Sequence, residues 1–198
     1  MQARWLDLGS LDPLRLYATV EGLAQAQAAD GVPVLVWVRA DRPHVCLGAS
    51  QGAAAELDRP SCVRQDLPVL RRPLGGGTVW VDPDQHCFFL IVPRQAGWRR
   101  REAFFSRGLA PALQTFRRFG LPAQAVGRGD LWLAGRKILG SGAATVNQAD
   151  VLGASFLLRF PARRFAQVVR APSEGYRAWL TDALAGAMTS WSEHAEPP

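Results

Sequence analysis

The chain has 198 residues, 48% hydrophobic and 20% charged, a composition that fits one globular domain with a core that needs no disulfide or metal. No apolar run approaches the ~18 residues of a membrane span, and Met1–Ser10 carries Asp7 and no apolar stretch of signal-peptide length, so the expected location is the cytoplasm. The formal net charge of +6 suits an acidic partner protein or a nucleotide, while scattered basic residues and seven dispersed tryptophans argue against a nucleic-acid module.

Asp12-Pro13 reads as an N-cap followed by proline at the first helical position. Leu16, Val20, Leu23 and Ala24 share a face of the helix that follows, and Asp30-Gly31 ends that segment. Val34–Val38 is an apolar run suited to a buried strand, with a second short strand around Val45–Leu47. A loop with room for a helical turn covers Gly48–Asp58, up to Arg59-Pro60. Gly75-Gly76-Gly77 then interrupts two β-like stretches, and Cys87–Val92 is the most apolar run, expected as a central strand. Glu102–Phe119 is helical, with Phe105, Leu109, Leu113 and Phe116 on one face and Gly120 as the stop; Pro111 must kink it or begin a second helix. Asp130–Leu133, Ala134-Gly135 and Arg136–Gly140 form a predicted hairpin. Val151–Phe160 is another strand, and Leu180, Leu184, Met188 and Trp191 suggest a closing helix. Interspersed strands and helices without strict alternation predict an α+β fold, a mixed central sheet flanked by helices.

Two segments carry chemistry. Three consecutive glycines gain a sheet nothing, but they let a backbone approach a ligand or take positive φ, and their N–H groups can receive an oxyanion. Arg71 and Arg72, just upstream, could bind phosphate or carboxylate. The alternative is a long hairpin turn with a solvated arginine pair. The second segment is Asp130 with Gly135-Arg136-Lys137-Ile138-Leu139-Gly140-Ser141. Lys137 is the one lysine in a chain rich in arginine, and its compact ammonium differs from arginine's planar fork. Asp130 and Lys137 can face one pocket from neighbouring strands; the alternative is a routine cross-strand surface pair. Cys46, Cys62 and Cys87 match no zinc spacing and read as reduced thiols.

Together these segments resemble the catalytic domain of lipoate–protein ligases. That family carries a basic pair, two residues and a triple glycine, here Arg71-Arg72-Pro73-Leu74-Gly75-Gly76-Gly77-Thr78-Val79 and then Asp82. It also carries an Asp-bearing strand, a turn and Gly-Arg-Lys-hydrophobic-x-Gly-Ser, here Asp130-Leu131 and Gly135–Ser141. Leu11-Asp12-Pro13 and Val45–Gln51 match as well, in consistent order over residues 5–170.

The resemblance implies a fold shared with biotin ligases and class II synthetase-like domains, as a single catalytic domain over 1–198 without the C-terminal accessory domain. It implies that lipoate or octanoate is activated by ATP and magnesium as an acyl-adenylate, then transferred to a lysine of an acidic lipoyl carrier domain. A separate accessory-domain chain is a further candidate partner. Lys137 would touch the carbonyl and α-phosphate as the catalytic residue. Arg71, Arg72, Gly75, Gly76, Gly77, Thr78, Gly140 and Ser141 would line the acyl-adenylate. Asp130 would orient the nucleotide or hold magnesium.

The chain departs from the family at three places: Gly129 stands for an Asn, Val81 for a His, and Leu152-Gly153 for His-Gly. Two alternatives therefore stay open. One is an octanoyl or lipoyl transferase, which needs a cysteine nucleophile; one subgroup's cysteine position holds Ala125 here, and no cysteine follows Asp150. The other is a non-catalytic lipoyl-binding subunit of a split ligase.

Overall fold

The computed structural model describes residues 3–94 and 101–198; Trp98, one of the dispersed tryptophans, lies outside them. The elements run β1 (Arg4–Leu11), α1 (Pro13–Gln25), β2 (Val34–Ala40), β3 (His44–Leu47), α2 (Ala53–Glu56), α3 (Arg59–Arg64), β4 (Val69–Arg71), β5 (Val79–Val81), β6 (Gln85–Pro93), α4 (Arg101–Arg118), β7 (Gln124–Val126), β8 (Asp130–Leu133), β9 (Arg136–Val146), β10 (Ala149–Leu157), α5 (Ala162–Val168) and α6 (Glu174–Ala187). Seven strands form the central sheet in the order β1-β2-β6-β10-β9-β8-β7, and β4-β3-β5 make a second, smaller one. Among the described strands, only β1–β2 in the large sheet and β3–β4 in the small one pair in parallel. The α+β expectation holds, with two sheets in place of one.

The central sheet is covered on both faces. Leu16, Tyr17, Val20 and Ala24 of α1 pack on Val36, Val38, Phe89, Ile91 and Val151. Phe104, Phe105, Leu109 and Phe116 of α4 pack on Phe88, Leu90, Leu152 and Phe156. This explains why β6 is continuously apolar: with helices on both sides, alternation would bury polar side chains. The small sheet has its own cluster, Val45, Leu47, Leu57, Cys62, Trp80, Phe165 and Val168.

Local signals account for the element ends. The Asp12 carboxylate accepts from the N–H groups of Leu14 and Arg15, and Pro13 opens α1. Helix α1 stops at Gln25, before the expected Asp30-Gly31. The stretch ending at Arg59-Pro60 is itself a helix start: Asp58 caps α3 by accepting from Ser61 N at 3.0 Å. Helix α4 runs through Pro111 without ending, so no second helix begins there. Strand β1 was not anticipated, because its alternating Trp5/Asp7 and Leu6/Leu8 pattern is cut by Gly9 at φ 61, where the pairing with β2 shifts register. The closing helix ends at Ala187; Met188 is extended, and Trp191 lies in a short 3₁₀ turn, Trp191–Glu193.

His44 of β3 is fully buried, and its Nε2 lies 3.2 Å from the Tyr17 hydroxyl. With Nδ1 facing the Arg42 carbonyl at 3.4 Å, the network assigns the neutral tautomer with the proton on Nδ1. Burial pushes the imidazole down to about 4 from 6.5. The unfolded chain therefore takes up this proton first, so the contribution of His44 is complete above about pH 6.5 and is lost as pH falls toward 4. Denaturant unfolding at pH 7 and pH 5 is expected to show a loss of about 2 kcal/mol from this group. His44→Gln, which keeps an acceptor for Tyr17, removes that part of the slope; identical pH dependence in the variant would exclude His44 as its source.

Candidate functional site

The β8–β9 hairpin closes through Ala134 (φ 49) and Gly135 (φ 77), the doubly positive turn whose twist matches the strands it joins. Leu133 pairs Arg136 and Trp132 pairs Lys137, but Leu131 pairs Leu139 and Asp130 pairs Gly140. One extra residue, Ile138, is thus inserted into β9 as a bulge. Its consequence is visible in burial: the adjacent residues Ile138 and Leu139 are both 0% exposed, in the core cluster with Leu131 and Leu133. The bulge also places Gly140, rather than Leu139, opposite Asp130.

On the face opposite that core, Lys137 Nζ lies 2.9 Å from Asp130 Oδ1. A Cβ on Gly140 would sit 2.7 Å from Lys137 Cε and 2.9 Å from Nζ, so glycine is what leaves the lysine its place over the strand. The Lys137 and Asp130 side chains are 31% and 35% exposed. Water screens such a pair, which is worth at most about 1 kcal/mol of stability, and it leaves the ammonium reachable by a ligand.

The triple glycine joins β4 to β5 and docks on the same strand. Gly75 N donates to the Ala143 carbonyl at 3.2 Å. A Cβ on Gly142 would lie 2.5 Å from the Gly75 oxygen, and one on Gly48 would overlap the Gly76 oxygen. Residues alternate faces along a strand, so Gly140 and Gly142 lie on one face, about 7 Å apart. The glycine loop and the Lys137–Asp130 pair are therefore neighbours along β9. Gly76 needs its φ of 99, whereas a Cβ on Gly77 would meet nothing within 4 Å. No packing among the described residues demands glycine at 77; open space there is what a ligand close to the backbone would use.

The polar residues around the loop act differently from the sequence expectation. Arg72 is buried, and its Nη1 donates to Cys46 O at 3.0 Å while Nη2 donates to Gly77 O at 2.8 Å and Gly75 O at 3.2 Å. Arg71 donates to the carbonyls of Gly48, Ala49 and Gln51. Both guanidinium groups hold backbone, so they shape the loop from behind; the expectation of donors aimed at phosphate is corrected to this supporting geometry. Thr78 Oγ1 donates to Gln51 Oε1 at 3.1 Å, and that oxygen also accepts from Gly48 N at 2.9 Å. The Ser141 hydroxyl donates to the Gly129 carbonyl, ordering the turn before Asp130. Gly76→Val would force a β-branched residue to positive φ and push on Arg72 Nη2, 3.2 Å from the Cβ position. The expected result is a folded protein that no longer binds the acid in equilibrium dialysis; unchanged affinity would make the loop only a turn.

Asp130 Oδ1 is engaged by Lys137, and no second acceptor contact is made by its Oδ2 among the described residues. No cluster of three His, Cys, Asp or Glu side chains suited to a metal occurs among the described residues. This donor set fits magnesium as one carboxylate plus ligand phosphates and water, and does not fit a closed protein cage.

Sequence reasoning gave no site role to Gly48, Gln51 or Gly142. The Gly-x-Gly alternation at 140 and 142 was the available signal for one face kept clear of side chains. Gly48 and Gln51 lie in the Val45–Gln51 segment of the resemblance, but their partners lie across the fold, so the segment alone gave them no role.

The chain matches the lipoyl protein ligase A/B catalytic domain over residues 12–198. It belongs to that family. A Streptococcus pyogenes lipoate–protein ligase is 29% identical over 117 residues, 59% of this chain and 33% of that one. An Aeropyrum pernix protein provisionally named lipoate-protein ligase A is 26% identical over 153 residues, 77% of this chain. The chain spans 56% of the length of that Aeropyrum relative. Among solved structures, the bipartite lipoate protein ligase of Thermoplasma acidophilum, described with its E2 lipoyl domain, superposes with a TM-score of 0.91 at 21% identity, covering 100% of this chain and 78% of that one. A lipoate-protein ligase A bound with ATP superposes at 0.85 and 19% identity, covering 100% and 79%. These likenesses establish the family's fold. Among the described residues no helix is long and apolar enough to cross a membrane.

Proposed function

We propose that this chain is an ATP-dependent lipoate–protein ligase that activates lipoate or octanoate and passes the acyl group to a lysine of an acidic lipoyl carrier domain. The observation that carries the reading is the juxtaposition on β9. The Lys137 ammonium lies over Gly140 and the glycine loop docks at Gly142, two positions on one face of β9 spaced about 7 Å along the strand. An acyl carboxylate along the loop can then meet the α-phosphate at Lys137. The carboxylate oxygen attacks the α-phosphorus, the acyl–phosphate bond forms, and pyrophosphate leaves. Lys137 stabilises the negative charge that develops between the carboxyl and phosphoryl oxygens. In the second step the carrier's deprotonated amine attacks the acyl carbonyl and AMP leaves. Asp130 would hold magnesium together with the triphosphate, and the ion would supply charge neutralisation there.

The transferase alternative requires an activated thiolate. Cys46, Cys62 and Cys87 are 0%, 2% and 5% exposed. Burial pushes the Cys87 thiol up to about 12 and raises Cys62 as well. The burial of all three thiols, with Cys62 and Cys87 disfavoured as thiolates, supports the ligase reading over the transferase. The Thermoplasma acidophilum ligase's description with its E2 lipoyl domain supports a lipoyl domain as partner. ATP–pyrophosphate exchange with lipoate and with octanoate tests the proposal without needing the carrier. Exchange with either acid is the expected result. No exchange, together with transfer from octanoyl carrier protein alone, would falsify it in favour of the transferase.

A further inference from the structure

Strand β10 pairs with β9 only from Ser141 to Val146. The other end of β9, which carries Lys137, therefore has β8 on one side and no β10 on the other. The chain leaving α6 fills that place. Met188 forms a parallel bridge with Lys137, and Thr189 N donates to the Lys137 carbonyl at 2.9 Å. Thr189, Ser190 and Trp191 are 0%, 3% and 1% exposed. The Trp191 ring is wedged among Phe116, Phe119 and Phe156, which anchors the segment in the core.

Arg136, the residue before Lys137, closes the arrangement. Its Nη1 lies 2.8 Å from Glu193 Oε2 and donates to Met188 O at 3.2 Å. The other carboxylate oxygen of Glu193 accepts from Ser190 N at 2.9 Å and Ser190 Oγ at 3.1 Å. Nη1 alone joins the carboxylate and the carbonyl, because this one guanidinium nitrogen carries two N–H donors. The clamp thus ties the turn at 190–193 to the backbone unit adjoining Lys137.

We propose that Arg136 and Glu193 are positioning residues for Lys137, acting through the Met188–Ser190 segment that borders its backbone. This rests on the ligase reading for its activity readout only. Neither residue touches the ligand face: Arg136 turns to the α6 end, and Lys137 turns to Asp130. Removing the clamp frees the edge of β9, and the Lys137 ammonium loses its fixed place over Gly140.

Because Lys137 is the one lysine in the chain, its environment can be read directly. Acetylation by a soluble amine reagent, followed by mass spectrometry, reports Lys137 with the N-terminal amine as internal reference. Glu193→Gln and Arg136→Gln are expected to acetylate Lys137 faster than the unmodified protein does, at temperatures where melting curves show both folded. Their exchange kcat is expected to fall by roughly 10–100-fold, as displacements of about 1 Å do, with KM for ATP little changed. Arg136→Lys, which retains the pairing with Glu193, recovers part of the kcat; its added lysine confines it to the exchange measurement. Glu193→Gln changes one atom type and serves where Arg136→Gln does not fold. Variants that melt lower but acetylate and turn over like the parent would overturn the proposal, leaving a clamp that only stabilises. If the parent itself gives no exchange while the acetylation difference persists, the positioning role stands and the ligase reading falls.

Discussion

Replacing Lys137 with arginine leaves the protein folded and lowers acyl-adenylate formation at least about a hundredfold, the usual consequence of losing one preorganised electrostatic contact. The charge is conserved, so the effect isolates geometry. Lysine reaches Asp130 Oδ1 at 2.9 Å with its Cε and Nζ lying directly over Gly140. Guanidinium is wider and planar and cannot put its charge at that point without displacing Asp130 or lifting off the strand. A surface pair with this exposure contributes little to stability, so the melting temperature is expected to stay within a few degrees. Pyrophosphate exchange on the purified variant, beside a melting curve, checks both halves. Near-normal turnover would reduce Lys137 to a surface residue and remove the main residue-level support for adenylation.

Gly140→Ala is expected to be almost as damaging while changing a residue with no functional group. The added methyl would sit 2.7 Å from Lys137 Cε. What must move is the end of a flexible side chain, not backbone, so folding is expected to survive. The lysine, however, must leave the position where it meets Asp130. Loss of that position is worth roughly 10–100-fold in kcat by the sensitivity of reacting groups to displacements near 1 Å. The same substitution at Gly77, where a Cβ meets nothing within 4 Å of the chain, should leave folding unaffected and raise KM for the acid if a ligand lies there. Measuring kcat and KM for both variants separates the two roles. Equal turnover of Gly140→Ala and the parent would mean that Lys137 works from some other rotamer.

The family's motif residues were legible because each is a local pattern. The Asp12-Pro13 cap, the positive-φ turn at Ala134-Gly135 and the apolar run of β6 involve neighbours within a few positions, and side-chain chemistry there constrains the backbone directly. The site's roster, Lys137, Asp130, Gly140 and the triple glycine, was legible in the same way, since glycines and a single lysine stand out against an arginine-rich background.

What those residues do to one another was decided by contacts between positions far apart in the chain. The Ile138 bulge, which moves Gly140 opposite Asp130, has no sequence signature, because a regular hairpin would satisfy the same turn. Arg71 and Arg72 read as anion donors until Cys46, Gly48, Gln51, Gly75 and Gly77 offer them carbonyls, and the guanidinium of Arg72, which is buried, takes whatever acceptors the fold brings within reach. Gly142 lies under Gly75, and Gly48 under Gly76. The backbone of Lys137 is bordered by Thr189, more than fifty positions later in the chain. Pattern reasoning sees spacing along the chain, whereas close approach across sheets follows from packing both faces of the central sheet at once. The sequence therefore determined which groups are present and the local conformations they impose, and the tertiary structure alone decided which groups line the open face of β9 and which hold the backbone that presents them.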